Sequence, residues 1–196
     1  MAINLQKGQR VSLDNSMKLA LVGLGWDTNR YDGGFDFDLD ASAFLLGENG
    51  KLQRDEDFIF YNNLQSRNGA VVHTGDNLTG DGDGDGDDEV IFIDFTKIPS
   101  DVKKIAIVVT IHDAENRRQN FGQVSNAYIR IAKRSDEFDE VGEPVLKFDL
   151  EEEFSIETAL VVAEIYEKNG EWKFNAVAAG YQGGLEAIIR SFGGNV

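Results

Sequence analysis

Cysteine is absent from the 196 residues, and proline and histidine each occur only twice. A chain without cysteine forms no disulfide, no thiolate metal site and no thiol redox centre. With only His73 and His112, a zinc site would depend mostly on carboxylates, which is uncommon. No apolar run approaches the roughly 18 residues of a transmembrane helix, and residues 1–10 lack the apolar core of a secretory signal. These absences predict a cytoplasmic protein without a membrane-spanning segment.

Basic residues are also scarce. The chain has 19 lysines and arginines against 35 aspartates and glutamates, for a net charge of −16. Phosphate contacts need lysine and arginine, so this balance disfavours direct binding to nucleic acid or to an anionic membrane. It favours cations as partners, and a bound cation would in turn be able to bridge the protein to an anionic ligand.

Short apolar or alternating segments, each bounded by Gly, Asn or Asp, recur along the chain. Many of their residues are β-branched or aromatic, which is typical of strands. Strands at this spacing predict an all-β protein with minor short helices, folded as a two-sheet β-sandwich. The predicted strands are residues 17–25, 39–46, 58–61, 70–73, 90–95, 105–111, 124–132 and 145–150.

The segment 157–181 allows two interpretations, because residues 158–167 have a composition that a helix would also tolerate. Asn169-Gly170 follows directly, and then Trp172, Phe174 and Ala176 alternate with other residues. Asn-Gly between two such runs is a strong signal for a β-hairpin. We therefore predict a hairpin over 157–181.

Two short helices are predicted. One is a turn after Pro99 capped by Asp101, and the other covers residues 185–192 with Gly193 as its stop. No Pro- or Ser-rich linker divides the chain, so residues 1–196 are expected to form a single domain.

Acidic residues concentrate in two stretches in which Arg30 is the only base. Residues 27–40 contain five aspartates, and residues 76–89 contain a Gly-Asp alternation that ends in Asp87, Asp88 and Glu89. Carboxylates this crowded repel one another unless a counter-charge offsets them. Calcium takes six to eight oxygen ligands in tolerant geometry, and glycine lets the backbone bend around such an ion. The alternative is a solvated flexible loop.

An EF-hand does not fit this tract. Counting from Asp81, the first six positions match its pattern, but Phe92 occupies the twelfth position, where a bidentate Glu is needed. Counting from Asp83 places Asp88 where the glycine should be. The tract is therefore predicted to be a calcium loop of another kind.

Two further features can be interpreted in more than one way. In residues 35–41, Phe35, Phe37 and Leu39 alternate with aspartates, so Asp38 and Asp40 are either metal ligands or an ordinary polar strand face. His112-Asp113 ends an apolar strand. No nucleophile can be assigned to this pair, so Asp113 is better interpreted as another oxygen ligand than as part of a catalytic pair.

The ordered motifs of the whole chain resemble those of the TerD family, known for tellurite resistance and stress response. The residues that carry the resemblance are Gly25-Trp-Asp27, Asp38-Leu-Asp-Ala-Ser42, Phe58-Ile-Phe-Tyr-Asn62, His73-Thr-Gly-Asp-Asn77, Gly86-Asp-Asp-Glu89, Ile111-His-Asp-Ala114, Gln119-Asn-Phe-Gly-Gln-Val-Ser-Asn126, Asn169-Gly-Glu-Trp-Lys-Phe174 and Gly180-Tyr181.

The resemblance implies a β-sandwich that binds calcium in acidic loops at one end, and we expect two ions. The implied metal ligands are Asp38, Asp40, Asp76, Asn77, Asp81, Asp83, Asp85, Asp87, Asp88, Glu89 and Asp113. The acidic loop is about two residues longer than the usual family form. Which of Asp81, Asp83 and Asp85 binds metal therefore stays open.

The family resemblance also implies a cytoplasmic stress-response protein, in some members peripheral to the inner face of the membrane. We expect a calcium-dependent binding or scaffold module without catalysis, whose partners are calcium, other stress-response proteins or an anionic ligand bridged by calcium. Two alternatives stay open. One is a purely structural metal. The other is direct detoxification of tellurite, which the missing cysteines and the negative charge disfavour. The polar stretch 119–126 is either a partner surface or a connecting loop.

Overall fold

The computed structural model describes residues 2–27, 36–75, 86–150 and 156–195. Most of the regular structure is β, as the sequence predicts. The strands among these residues are β1 (Ile3–Asn4), β2 (Arg10–Ser12), β3 (Leu19–Gly25), β4 (Leu39–Leu46), β5 (Phe58–Ile59), β6 (Val71–His73), β7 (Glu89–Asp94), β8 (Lys104–Ile111), β9 (Tyr128–Lys133), β10 (Glu143–Asp149), β11 (Ala159–Lys168) and β12 (Glu171–Tyr181).

The strands form two sheets. Sheet A has the order β1-β10-β9-β3-β7-β6, and sheet B has the order β2-β12-β11-β8-β4-β5. Neighbours are antiparallel except β1, which runs parallel to β10. The predicted two-sheet all-β architecture is confirmed.

Side-chain alternation along β8 illustrates how the two sides of sheet B are used. Ile105, Ile107 and Val109 point into the main core between the sheets. Ala106 and Val108 point the other way, into a smaller apolar cluster. That second cluster lies beneath helix α2 (Gly184–Ser191), which covers the outer face of sheet B. Successive residues of a strand face opposite sides, so one apolar strand serves both clusters.

The predicted hairpin is confirmed as β11 and β12. Asn169 (φ 58°) and Gly170 (φ 79°) both have positive φ, as a type I′ turn requires. Pairing starts at Lys168↔Glu171 and continues to Ala159↔Tyr181. The register shifts between Val161 and Ala163, so β12 has a bulge there.

Several boundaries differ from the prediction. The strand predicted over 124–132 begins only at Tyr128, because residues Phe121–Gln123 form a 3₁₀ turn. The helix predicted after Pro99 is only a turn, in which the Val102 amide donates to the Pro99 carbonyl. The predicted C-terminal helix is confirmed as α2.

Four short elements were not predicted. They are β1, β2, the 3₁₀ turn Asp55–Asp57 and the helix α1 (Ala114–Arg117), in addition to the 3₁₀ turn Phe121–Gln123 just described. Each is four residues or fewer, too short for a hydrophobic period to show in the sequence. No helix in the described ranges is long and apolar enough to cross a bilayer.

The first two strands belong to different sheets, β1 to sheet A and β2 to sheet B. Ile3 pairs with Leu146 at the edge of sheet A, while Val11 pairs with Phe174 at the edge of sheet B. The same short segment therefore closes one edge of each sheet.

Candidate functional site

One end of the sandwich, which we call the acidic end, collects the described members of the predicted metal site. Here β3, β6 and β8 finish, and β4, β7 and β11 begin. Backbone hydrogen bonds fix these ends together: the His112 amide donates to the Asp38 carbonyl at 2.8 Å, and the Asp88 amide donates to the Leu24 carbonyl at 2.8 Å. Asp38, Asp40, Asp87, Asp88, Glu89 and Asp113 all lie at this end.

Glu89 connects the two sheets. Its Oε2 accepts a 2.6 Å hydrogen bond from the Ala41 amide of β4, although Glu89 itself begins β7 in the opposite sheet. The residue is 1% exposed. A buried carboxylate is costly unless it accepts such hydrogen bonds, so this contact gives Glu89 a structural role.

His73 completes the same bridge from β6. Its Nδ1 accepts a hydrogen bond from the Gly75 amide at 3.0 Å, which leaves the proton on Nε2. Nε2 then faces the Ala41 carbonyl at 3.1 Å and Glu89 Oε2 at 3.5 Å. Glu89 and His73 together bind both backbone polar groups of Ala41, as a neighbouring strand would.

Asp38 and Asp40 stand at the start of β4 and are 3% and 5% exposed. Asp38 Oδ2 lies 3.3 Å from Nη1 of Arg117, which comes from α1. Asp40 Oδ2 lies 3.7 Å from Nδ1 of His112. Both carboxylates are nearly enclosed by the protein, unlike the solvated polar strand face that the sequence left open as the alternative.

Asp87 is held by Arg130 of β9, whose Nη2 lies 2.6 Å from Asp87 Oδ2. Gly23 makes room for this pair, because a Cβ there would lie 2.1 Å from Asp87 Oδ2. Burial disfavours the Arg130 charge, but hydrogen bonding and attraction from Asp87 outweigh it and raise the pKa of Arg130. Burial, reinforced by Asp87, strongly raises the pKa of the Tyr128 phenol. The phenol donates to the Gly86 carbonyl at 3.1 Å.

Asp88 and Asp113 each accept a hydrogen bond from another residue. Asp88 Oδ2 accepts a 2.9 Å hydrogen bond from the Trp26 amide. The Trp26 indole donates to the Phe37 carbonyl at 3.1 Å, which ties β3 to the segment before β4. The backbone of Asp113 adopts the left-handed conformation (φ 50°), and the residue is exposed. Its Oδ1 accepts a hydrogen bond from the Asn116 side-chain amide at 2.6 Å.

A cleft opens beside these residues on the outer face of sheet B, between α1 and the start of α2. Its volume is about 390 Å³. Asp40, Thr110, Asp113 and Glu115 line it. Across the cleft, the Thr158 hydroxyl accepts a 3.2 Å hydrogen bond from the Gly184 amide and fixes the first turn of α2.

The remaining predicted ligands cannot be placed. Asp76, Asn77, Asp81, Asp83 and Asp85 lie outside the described residues. Among the described residues, no group of three or more carboxylate or histidine side chains is arranged to hold a metal ion. The six described carboxylates supply oxygen donors that suit calcium, but they do not complete a site. The prediction of the ligand set therefore stays a prediction.

Sequence reasoning missed several residues of the acidic end. His73 was given no chemistry, and Arg117, Arg130 and Tyr128 were not singled out. One weak signal in the sequence could have pointed to two of them, because His73 and Arg130 are polar residues in otherwise apolar strands. A polar residue within such a strand needs a partner if it is buried.

A β-sandwich with buried carboxylates gathered at one end defines the class of this protein. The model of the TerD domain matches residues 1–192. The chain therefore belongs to the TerD family.

Relatives support this membership. The chain is 54% identical over 198 residues to the tellurium resistance protein TerD of Serratia marcescens, covering 100% of this chain and 99% of the relative. It is 53% identical over 196 residues to general stress protein 16U of Bacillus subtilis (strain 168), covering 98% of each. The solved structure of SAV2460, a protein of unknown function, shares the fold with a TM-score of 0.72, 21% identity, and coverage of 92% of this chain and 99% of that one.

Proposed function

We propose that this chain is a calcium-dependent binding module of the stress response and has no catalytic activity. Calcium would bind at the acidic end through Asp38, Asp40 and Asp113 together with ligands from the Gly-Asp tract. The observation that carries the proposal is the near-complete burial of Asp38 and Asp40 at the end of the sandwich from which that tract extends. Arg117 offsets part of the Asp38 charge, and a divalent cation would supply further counter-charge to these buried carboxylates.

The flanks of the Gly-Asp tract support the same proposal. On one side His73 and Gly75, and on the other Asp88 and Glu89, are fixed at the acidic end by the hydrogen bonds described above. Residues 76–85 of the sequence join these two anchored flanks. The carboxylates of that tract therefore belong to a segment whose start and finish are both close to Asp40.

The names of the relatives support a role in resistance. One is called a tellurium resistance protein and another a general stress protein. We infer a binding role rather than turnover, because reducing tellurite needs thiols or a redox cofactor and the chain has no cysteine. Bound calcium with an open coordination position would instead accept an anionic group of a partner.

The first test is calorimetric titration of calcium into chelator-treated protein, followed by thermal unfolding. An ion that binds the native state stabilises it by about 2.7 kcal/mol at 100 times its Kd, which raises the Tm of a chain of this size by about 5–10 °C. If calcium produced no heat of binding and no shift in Tm, the proposal would be overturned.

The second test replaces Asp38 and Asp40 with Asn, which keeps the shape and removes the charge. The matched control is Glu48→Gln, an exposed acid just after β4. Calcium affinity should fall at least tenfold in Asp38→Asn/Asp40→Asn and stay unchanged in the control. An equal loss in both variants would indicate a general charge effect and contradict a localised site.

A third measurement separates a switch from a purely structural metal. In a switch, calcium-loaded protein binds anionic vesicles or a nucleotide, and the chelator releases them while the fold persists. Binding that is equal with and without calcium would remove the switch and leave a metal-stabilised scaffold. Turnover of tellurite by the purified protein with ordinary reductants would contradict the absence of catalysis.

A further inference from the structure

The cleft beside the acidic end is a second candidate binding site. It lies on the outer face of sheet B, and Tyr61 forms part of its wall. Four carboxylates line it, from Asp40, Asp113, Glu115 and Glu186. No lysine or arginine is among the described residues of its lining. Its electrostatic potential therefore excludes a free anion and favours a cation.

Thr110 provides a second and independent observation. It points to the outer face of sheet B like Ala106 and Val108, lines the cleft, and is 2% exposed. Its hydroxyl makes no hydrogen bond with another residue that the structure describes. Buried hydroxyls normally have a partner, so this group is available to a ligand that enters the cleft.

Ser42 is a second buried hydroxyl nearby, although it does not line the cleft. It lies on the same face of β4 as Asp40, is 0% exposed, and its Oγ has no hydrogen-bond partner. Its register partner on β8 is Val108, while Asp40 pairs with Thr110. Two buried hydroxyls without partners therefore flank one buried carboxylate. The acceptors that line the cleft, the Thr110 hydroxyl and the carboxylates, match a ligand with several N–H donors.

Tyr61 adds an aromatic surface. Its ring lies 6.4 Å from the ring of His112 in an edge-on contact, and it follows the stacked pair Phe58 and Phe60. Phe60 packs against Tyr61 at 5.2 Å, which fixes the ring that faces the cleft. A cation over the face of a tyrosine is attracted by the ring quadrupole.

We propose that this cleft binds an organic cation, an ammonium or guanidinium group whose N–H donors reach Thr110 and Asp40 while Tyr61 and Glu115 flank its charge. Two sources share this chemistry: a free polyamine, and an arginine or lysine side chain of a protein partner. Bound calcium at Asp40 or Asp113 would reduce the negative charge of the cleft and weaken the binding of the organic cation. The two kinds of cation therefore compete.

The test is an NMR titration of the full chain in metal-free buffer at fixed ionic strength. The probes are agmatine and spermidine for the free source, and N-acetyl-arginine amide and N-acetyl-lysine amide for the side chain of a partner. The expected result is a saturable shift of the Tyr61, Thr110 and His112 signals with one class of probe. Tetramethylammonium, which has no N–H donor, should bind at least fivefold more weakly.

Two variants make the test specific. Thr110→Val keeps the shape of the side chain and removes the hydroxyl. It should lower the affinity for the probe about fivefold, as loss of one hydrogen bond does. Thr110→Ser restores the hydroxyl and should restore binding. Glu115→Gln should weaken binding about threefold, while Glu48→Gln, an exposed acid near the other end of β4, should not.

Shifts spread evenly over the acidic surface, or equal affinity in the wild type and Thr110→Val, would overturn the proposal. So would equal binding of tetramethylammonium and agmatine. Since the titration contains no calcium, its outcome is independent of the proposed calcium site. A later addition of calcium should raise the apparent Kd of the probe, and an unchanged Kd would contradict competition between the two cations.

Discussion

Glu89 Oε2 and the Ala41 backbone nitrogen are 2.6 Å apart, so a carboxylate of sheet A accepts a hydrogen bond from the backbone of sheet B. The contact substitutes for a strand that β4 lacks at this position, because β5 pairs with β4 only at Ala43 and Phe44. His73 accompanies it at the Ala41 carbonyl. The two sheets are thus connected by side-chain hydrogen bonds as well as by apolar packing.

Replacing Glu89 tests this connection. Glu89→Ala would leave the buried Ala41 amide without an acceptor, which costs about 2–3 kcal/mol of unfolding free energy. Glu89→Gln keeps an oxygen acceptor and should cost less. Urea unfolding in metal-free buffer measures both without interference from calcium. A loss in Glu89→Ala no larger than that in the exposed control Glu48→Ala would contradict the role of this bridge.

The space that Gly23 leaves for Asp87 gives a second prediction. In Gly23→Ala the new Cβ would overlap the Asp87 carboxylate and force it away from Arg130. Separating such a pair leaves a partly buried guanidinium, so we expect a loss of about 2–3 kcal/mol. A double-mutant cycle with Asp87→Ala measures the coupling by urea unfolding. In the Asp87→Ala background Gly23→Ala should cost much less, and equal costs in both backgrounds would refute the explanation.

The hairpin turn gives a third prediction. Gly170 has φ 79° with open space around it, so an added methyl group meets backbone strain but no neighbour. Gly170→Ala should destabilise the protein by about 1 kcal/mol. Gly170→Asn should cost less, because Asn tolerates this region better. Thermal unfolding of the two variants measures the order, and an equal cost would contradict the backbone explanation.

Asp139 gives a prediction for acidic pH. Backbone hydrogen bonds from Ser135 and Gly142 lower its pKa to about 2. A carboxylate whose folded-state pKa is depressed stabilises the fold above its unfolded pKa, near 3.8, and loses that contribution as the pH falls toward 2. The carboxyl ¹³C chemical shift should therefore titrate with a midpoint near 2.

Asp139→Asn provides the control for this titration. It should remove the low-pH transition and weaken the 2.8 Å contacts to the Ser135 and Gly142 amides. A midpoint of about 4 in the wild type would show that these hydrogen bonds do not hold the carboxylate in solution.

The strands and the hairpin were predictable because their signals are local. The β-branched apolar run 105–111 and the Asn169-Gly170 turn are both visible within a few residues of sequence. The 3₁₀ turn at Phe121–Gln123 was not, because the apolar residues Val124 and Ala127 that precede β9 look like the beginning of a strand. Both are buried without belonging to a sheet.

The acidic end was only partly predictable. Asp38, Asp40 and Asp88, which belong to the two acidic stretches of the sequence, all lie at the acidic end, while their sharing of a metal site stays a prediction. The partners were not predictable, because Arg130 meets Asp87, and His73 meets Ala41, only after both sheets have formed. Hydrogen bonds between residues far apart in sequence leave no periodic trace, so a single sequence does not show them.

The pairing of β1 with β10 and of β2 with β12 has a consequence for the order of folding. Ile3 pairs with Leu146 and Val11 pairs with Phe174, so both contacts join segments far apart in sequence. Such contacts close large loops, whose entropy cost delays them relative to local contacts. A partly folded chain therefore exposes the unpaired edges of β10 and β12, and these edges can pair with another chain.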